Sequence, residues 1–307
     1  MQPKIQEISG SGVTWTNVTK IGKPEMNELR KRFKFLDIDL NSCLPPNQRP
    51  NFNERDKYLF ISLTYPQLEE STKKIIPVEL DLFITKKNIV TIHNGKLKAT
   101  FDLGELLIKK RDEHKHILLN PAELLYHILN RLINDSLITL SKISSEIDSI
   151  ENNLSVVTKK ETIDKIFRIK NNIIEFKKWM RPHTVITKKM LTAVPKFFHT
   201  GKLNNYFQEL VEHTQEINDR LESDSDTINA IEDSHMSLLN LRNSDIMRIV
   251  TLFAVIVFPL TLVAGIFGMN TLHAPIIGDP NDFWIIIALM SAGTLAMLAY
   301  FKSKRWL

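Results

Sequence analysis

Cysteine is nearly absent: Cys43 stands alone among 307 residues, so no internal disulfide framework is possible, and the usage fits a reducing compartment. Neither sign of charge dominates, with 40 basic against 35 acidic residues and a net charge of +5. No Lys/Arg stripe is interleaved with aromatic residues, and nucleic acid is not expected as a partner. Met1-Gln2-Pro3-Lys4 leads into polar sequence without an apolar run, so no cleavable signal is visible and the N-terminus is expected in the cytoplasm. Phosphate loops, Cys/His zinc spacings and a nucleophile paired with a base are also missing, which argues against an enzyme.

Other absences are local. Between Lys202 and Phe258 there is neither glycine nor proline for 57 residues, which predicts one long helix. Charge is absent from Ile249 to Phe267 and again from Phe283 to Phe301. Each run spans roughly 28 Å as a helix, the thickness of a bilayer's hydrocarbon, and predicts a membrane crossing. The segment Thr271 to Asp282 between them has no Lys or Arg, whereas Arg248 precedes the first run and Lys302, Lys304 and Arg305 follow the second. By the positive-inside rule both ends of this hairpin are cytoplasmic. The outer loop carries Asp279 and Asp282, acids that would concentrate cations at a pore mouth. Trp284, Tyr300 and Trp306 lie near the span ends, where aromatic belts form.

Along the predicted long helix Leu210, Ile217, Leu221, Ile228, Ile231 and Leu238 recur at coiled-coil-like steps, interrupted by Asp224 and His235. Upstream, Asn120-Pro121-Ala122-Glu123 reads as an N-cap, an N1 proline and an acidic first turn, opening a helix to about Asn153. Another helix is expected from near Glu161 toward Met190, with a kink at Pro182. Before residue 115 the texture changes to short β-rich runs, Tyr58 to Leu63, Val78 to Phe83 and Ile89 to His93, with a helix over Glu25 to Phe33. The expected fold is α+β: a small cytoplasmic α/β domain at 1–115, a cytoplasmic helical stalk at 116–248, and a two-span transmembrane hairpin at 249–307 with its outer loop at 271–282.

At the outer end of the first span stands Phe258-Pro259-Leu260-Thr261-Leu262-Val263-Ala264-Gly265-Ile266-Phe267-Gly268-Met269-Asn270. A Gly-Met-Asn triplet closing an apolar span, followed by a short loop and a second span, resembles the CorA family of divalent-cation transporters. Arg49-Pro50 before Tyr58-Leu59-Phe60-Ile61, the strand Asn88 to His93, the helix Leu124 to Asp135 and the terminal Tyr300-Phe301-Lys302 with Lys304-Arg305-Trp306-Leu307 are similar to family features as well. The resemblance implies a homopentamer in the cell's inner membrane, with first spans lining a pore for Mg²⁺ and second spans outside. Mg²⁺ dehydrates reluctantly, so a filter for the hydrated ion needs neutral acceptors: the carbonyls where the helix ends at Gly268 and Met269, and the Asn270 amide. Thr261, Phe258, Ala254, Val250, Met247 and Asn243 share one helical face and would line the pore, with Val250 and Met247 as an apolar gate. Asp233, farther down, resembles a pore-mouth acid.

The family's loop element Met-Pro-Glu-Leu is replaced here by Thr271-Leu272-His273-Ala274, and Ser244 with Asn243 stands where an asparagine ring is usual. Regulation is implied too. The family places a regulatory acid at Glu209, on one helix turn with Glu212 and His213, facing an acid of the neighbouring subunit, for which Glu69 or Glu70 is the candidate. Cytosolic Mg²⁺ bridging such acids would hold the ring closed, so Mg²⁺ is expected both as cargo and as regulator. The alternatives are a Zn²⁺, Co²⁺ or Ni²⁺ transporter of the same fold, proton-coupled or not, and a membrane-tethered helical scaffold without transport.

Overall fold

The structure, a computed structural model, describes residues 5–44, 50–110, 113–152, 160–198, 203–269 and 280–304. In chain order the elements are β1 (Ile5–Ser9), β2 (Thr14–Thr19), α1 (Lys23–Phe33), α2 (Asp37–Ser42), β3 (Asn51–Glu54), β4 (Leu59–Glu69), β5 (Lys74–Ile84), β6 (Asn88–His93) and α3 (Lys98–Lys109). A 3₁₀ turn at Lys115–Leu118 leads into α4 (Pro121–Glu151), α5 (Lys160–Phe198), α6 (Asn204–Phe267) and α7 (Asp282–Ser303). The chain divides into two compact units, Met1–Glu232 and Asp233–Leu307.

In the first unit six strands form one sheet in the order β1-β2-β6-β5-β4-β3, antiparallel except for the parallel pair β2 and β6. Because side chains alternate along a strand, the sheet has two apolar faces. Leu59, Ile61, Leu80 and Leu82 join the buried residues of α3, α4 and α5, among them Leu103, Leu125 and Phe176. Phe60, Phe83, Val90 and Ile92 pack instead with Met26, Leu29 and Leu40 of α1 and α2. The result is a three-layer unit with the sheet in the middle.

The predicted β-runs are present but longer than expected. Pro66 and Pro77 look like strand breakers in sequence, yet β4 and β5 run through them, with the two prolines directly opposite each other in register. Both missing N–H groups thus fall on one rung of the ladder, and the neighbouring rungs stay intact. Strands β1, β2 and β3 were not foreseen. Their hairpin turn depends on glycine: a Cβ on Gly12 would lie 1.8 Å from the Leu119 carbonyl oxygen, and one on Gly10 2.2 Å from the Leu118 Cβ. That close approach lets Gly12 and Val13 donate their N–H groups to the Leu118 carbonyl.

The expected helices α1, α4 and α6 are present, α5 runs past the expected Met190 to Phe198, and α2 and α3 add to those expected. Asn120 caps α4 by accepting from the Ala122 N–H at 2.9 Å, with Pro121 at N1. Pro182 and Pro195 lie inside α5 without ending it. Leu210, Ile217, Leu221, Ile228 and Ile231 are buried along α6, whereas Leu238 is only half-buried. Asp224, a polar interruption of that seam, accepts from the Ser144 hydroxyl of α4 at 2.7 Å.

Candidate functional site

In the unit Asp233–Leu307, the C-terminal part of α6 and all of α7 are long and apolar enough to cross a membrane. Their most apolar 18-residue windows are 6% and 0% buried, so these surfaces are largely uncovered among the described residues. Apolar surface on this scale calls for lipid or other subunits.

At 100° per residue, Leu252, Ile256 and Val263 lie opposite Thr261 and are buried or half-buried, while Pro259 and Ile266 on that side are exposed. Thr261, Phe258, Val250, Met247 and Asn243 occupy the other side and are all exposed; Ala254, on the same side, is half-buried. The exposure of Phe258 reaches 72%. The Thr261 hydroxyl donates to the Val257 carbonyl at 2.9 Å. Its proton is thereby committed to the backbone, and its lone pairs are left to accept hydrogen bonds from water. Asp233 is exposed at the start of this unit.

Helix α6 ends at the signature. The Gly268 N–H bonds to the Ala264 carbonyl at 2.9 Å, and the Met269 N–H to the Ile266 carbonyl at 3.3 Å, a tightened last turn. A Cβ on Gly268 would sit 3.0 Å from the Ala264 oxygen. That oxygen belongs to the carbonyl four residues back that the Gly268 N–H already bonds, so an added methyl group would need the turn to give by a few tenths of an ångström, and Gly268 is not among the residues with positive φ. Asn270 and Asp279 lie outside the described residues. Asp282 opens α7, accepting from the Phe283 N–H at 2.6 Å, a favourable position for a carboxylate at a helix N-terminus.

In the unit Met1–Glu232, Glu209 is half-buried and held from α4: the Tyr126 hydroxyl donates to its Oε2 at 2.8 Å, and the Asn130 amide donates to the Tyr126 oxygen at 3.1 Å. Its Oε1 lies 4.0 Å from His213 Nε2, as the four-residue spacing predicts. Burial, together with the bonded Glu209 carboxylate, pushes the Tyr126 hydroxyl far above its ordinary pKa, so it stays a donor. Glu212 points elsewhere and accepts from the Gln208 amide at 3.0 Å.

Glu69 and Glu70 sit where β4 turns into β5. Thr72 donates to Glu69 at 2.8 Å, while the Lys73 ammonium bonds Glu70 at 2.6 Å and Lys142 of α4 lies 3.9 Å away. The hydrogen bond and charge of Lys73 hold the Glu70 carboxyl below its ordinary range. Lys142 and Tyr126 are 16 residues apart on α4, which places the hairpin tip roughly 24 Å along the helix from Glu209. The two sets of acids therefore do not meet within one chain. Among the described residues no group of three or more His, Cys, Asp or Glu is arranged to hold a metal ion. Tyr126 was invisible to sequence reasoning, because it lies 83 residues from Glu209 and nothing in its spacing announces the contact.

Comparison with known proteins agrees with this layout. The family described as "CorA-like Mg2+ transporter protein" matches residues 10–305. The cobalt/magnesium transport protein CorA of Thermotoga maritima is 26% identical over 298 residues, covering 96% of this chain and 83% of its own length. A protein of the same description from Methanocaldococcus jannaschii is 25% identical, covering 100% of this chain and 96% of its own. The complete structure of the CorA magnesium transporter from Methanocaldococcus jannaschii superposes with a TM-score of 0.84 at 24% identity, over 99% of this chain and 95% of that one, a likeness of fold. With nearly its whole length matched, from the sheet through both apolar helices, the chain belongs to the CorA-like Mg²⁺ transporter family, membrane transporters of divalent cations and not enzymes.

Proposed function

We propose that this chain assembles as a homopentameric channel of the cell membrane, both termini cytoplasmic, which passes hydrated Mg²⁺ passively inward and closes when cytosolic Mg²⁺ binds between subunits. The observation that supports it best is the line of exposed residues along α6, with an acceptor hydroxyl at Thr261 above the apolar side chains of Phe258, Val250 and Met247. Five copies facing one axis would offer the water shell of the ion a ring of oxygen lone pairs, and below it a throat that closes by dewetting. The carbonyls at Gly268 and Met269 and the amide of Asn270 would form the outer ring. Neutral oxygens hold the hydrated ion weakly enough to release it, whereas carboxylates would compete for its shell. Asp279 and Asp282 would raise the local cation concentration.

Glu209, set in place by Tyr126 and beside His213, would face Glu69 or Glu70 of a neighbouring subunit. Of these Glu69 is the better placed, because Glu70 is already engaged by Lys73 and Lys142. Two opposed carboxylates repel, and a divalent ion between them reverses the sign of that interaction.

The test is flux into proteoliposomes. Asn270→Ala is expected to abolish Mg²⁺ uptake while the oligomer stays intact by size-exclusion chromatography; uptake at the wild-type rate by an intact oligomer would remove the filter assignment. A second cargo is included in the same assay, since the relatives at 25–26% identity are described as cobalt/magnesium transport proteins. Co²⁺, Ni²⁺ and Zn²⁺ run beside Mg²⁺ decide between a magnesium channel and a transition-metal transporter.

A further inference from the structure

Away from the residues discussed so far, a cavity of about 240 Å³ opens on the α1/α2 side of the sheet. It is lined by Cys43 at the end of α2, Ile92 of β6, and Glu79 and Asp81 of β5, with Lys20 and Asn94 among the remaining lining residues. Glu79 and Asp81 are two apart on one strand and so project to the same face. Asp81 is buried, 2% exposed, and its Oδ1 has no hydrogen-bond partner. A buried carboxylate oxygen left unsatisfied is costly, and such groups are ordinarily met by a donor, a water or an ion.

What could meet it follows from the surroundings. The second carboxylate, Glu79, is half-buried, and its charge adds to burial in pushing the Asp81 carboxyl up to about 7, against the opposing pull of Ser62 and Cys43. Two neighbouring acids disfavour an anion and favour a cation. Lys20 is exposed, and its charge is largely screened by solvent. The cavity has room for several waters in addition to an ion. That combination suits Mg²⁺, which keeps much of its water shell and is bound through one or two carboxylates, not through an all-protein cage.

We infer that Asp81 and Glu79 form a divalent-cation site within each chain, occupied by partly hydrated Mg²⁺ and separate from the acids proposed to bind ions between subunits. The site deepens the regulatory reading without depending on it, because it needs no neighbouring subunit. It lies between the sheet and α2, so occupancy would tie β5 to the end of α2 through the ion's waters.

The experiment uses full-length protein in detergent. Mn²⁺ bound per chain is counted by electron paramagnetic resonance in Glu209→Gln protein with and without Asp81→Asn, and thermal stability of the same proteins is followed with and without Mg²⁺. One Mn²⁺ fewer per chain on adding Asp81→Asn is expected, together with a smaller rise of the melting temperature by Mg²⁺. Glu79→Gln, at a half-buried position and so a milder change, should weaken Mn²⁺ binding by about tenfold, equivalent to about 1.4 kcal/mol. A Mn²⁺ lost with Asp81→Asn in protein that also carries Asn270→Ala and Glu209→Gln would keep this site standing even where the pore or intersubunit assignments fail. Equal Mn²⁺ counts with and without Asp81→Asn would overturn it.

Discussion

Two side chains show how narrowly the proposed transport residues are constrained. At Gly268 an added Cβ would meet the Ala264 oxygen at 3.0 Å, tighter than ordinary contact, so the turn must shift by a few tenths of an ångström to admit a methyl group. Gly268→Ala is therefore expected to displace the last turn of α6 and cut Mg²⁺ flux at least tenfold (about 1.4 kcal/mol), with assembly unchanged by size-exclusion chromatography. Flux within twofold of wild type would mean that the turn tolerates the shift. Tyr126 carries a different prediction. Its hydroxyl orients the Glu209 carboxylate, and a hydrogen bond to a charged group contributes about 1.5–3 kcal/mol. Tyr126→Phe should raise the Mg²⁺ concentration needed for half-inhibition of flux and lower thermal stability modestly. Unaltered inhibition alongside lowered stability would assign the contact to structure alone. Residue types and positions along the helix were legible in the sequence, but the Tyr126 to Glu209 contact was not, because it joins helices across 83 residues.

At the scale of elements, α6 was the most legible feature. Its 57 residues without glycine or proline and its periodic apolar seam leave a helix as the economical outcome, and α6 runs Asn204–Phe267. Within it Val250 is 55% exposed on the Thr261 side, away from Leu252. Val250→Ser is expected to wet the throat and raise flux at high internal Mg²⁺ several-fold, measured by a Mg²⁺-sensitive dye in proteoliposomes. No change in either conductance or Mg²⁺ block would remove Val250 from the pore. The sheet was harder to read. Prolines at 66 and 77 carry a local signal for breaking strands, and only their pairing across β4 and β5 shows why both are tolerated. Strands β1 to β3 have four to six residues each, too short for period-two alternation to stand out.

The unit Met1–Glu232 carries a pH dependence through its buried titratable groups. His183 is fully enclosed, donating Nε2–H to the Thr64 carbonyl at 2.9 Å, and burial depresses its pKa from 6.5 to about 4, only partly offset by that bond. His93, buried in a chain of hydrogen bonds with Asn17, Thr91 and Trp15, is lowered to about 4 by the same cause. At these histidines the unfolded chain binds protons between about pH 4 and 6.5 that the folded chain refuses, so their contribution to stability falls as pH falls through that window, while the raised Asp81 carboxyl acts in the opposite direction. For His183 a shift from 6.5 to about 4 corresponds to on the order of 3 kcal/mol. From pH 7 to pH 5 the His183→Asn protein should therefore lose less thermal stability than the wild type, measured side by side. An equal slope in the variant would place the titration elsewhere.

The sequence by itself determined that the chain has two helices long and apolar enough to cross a membrane, a long helix leading into the first, and a signature that marks its family. Those features are local: hydrocarbon demands unbroken apolar runs, helix propensity sums along neighbouring residues, and Gly268-Met269-Asn270 is contiguous. Only the tertiary structure decided that Glu209 is held by Tyr126, that the hairpin acids lie far from it along α4, and that Asp81 and Glu79 open on one cavity beside Cys43. These depend on strand register and helix packing, where residues tens of positions apart meet because their apolar neighbours fit together. No pattern of spacing along the chain encodes such meetings.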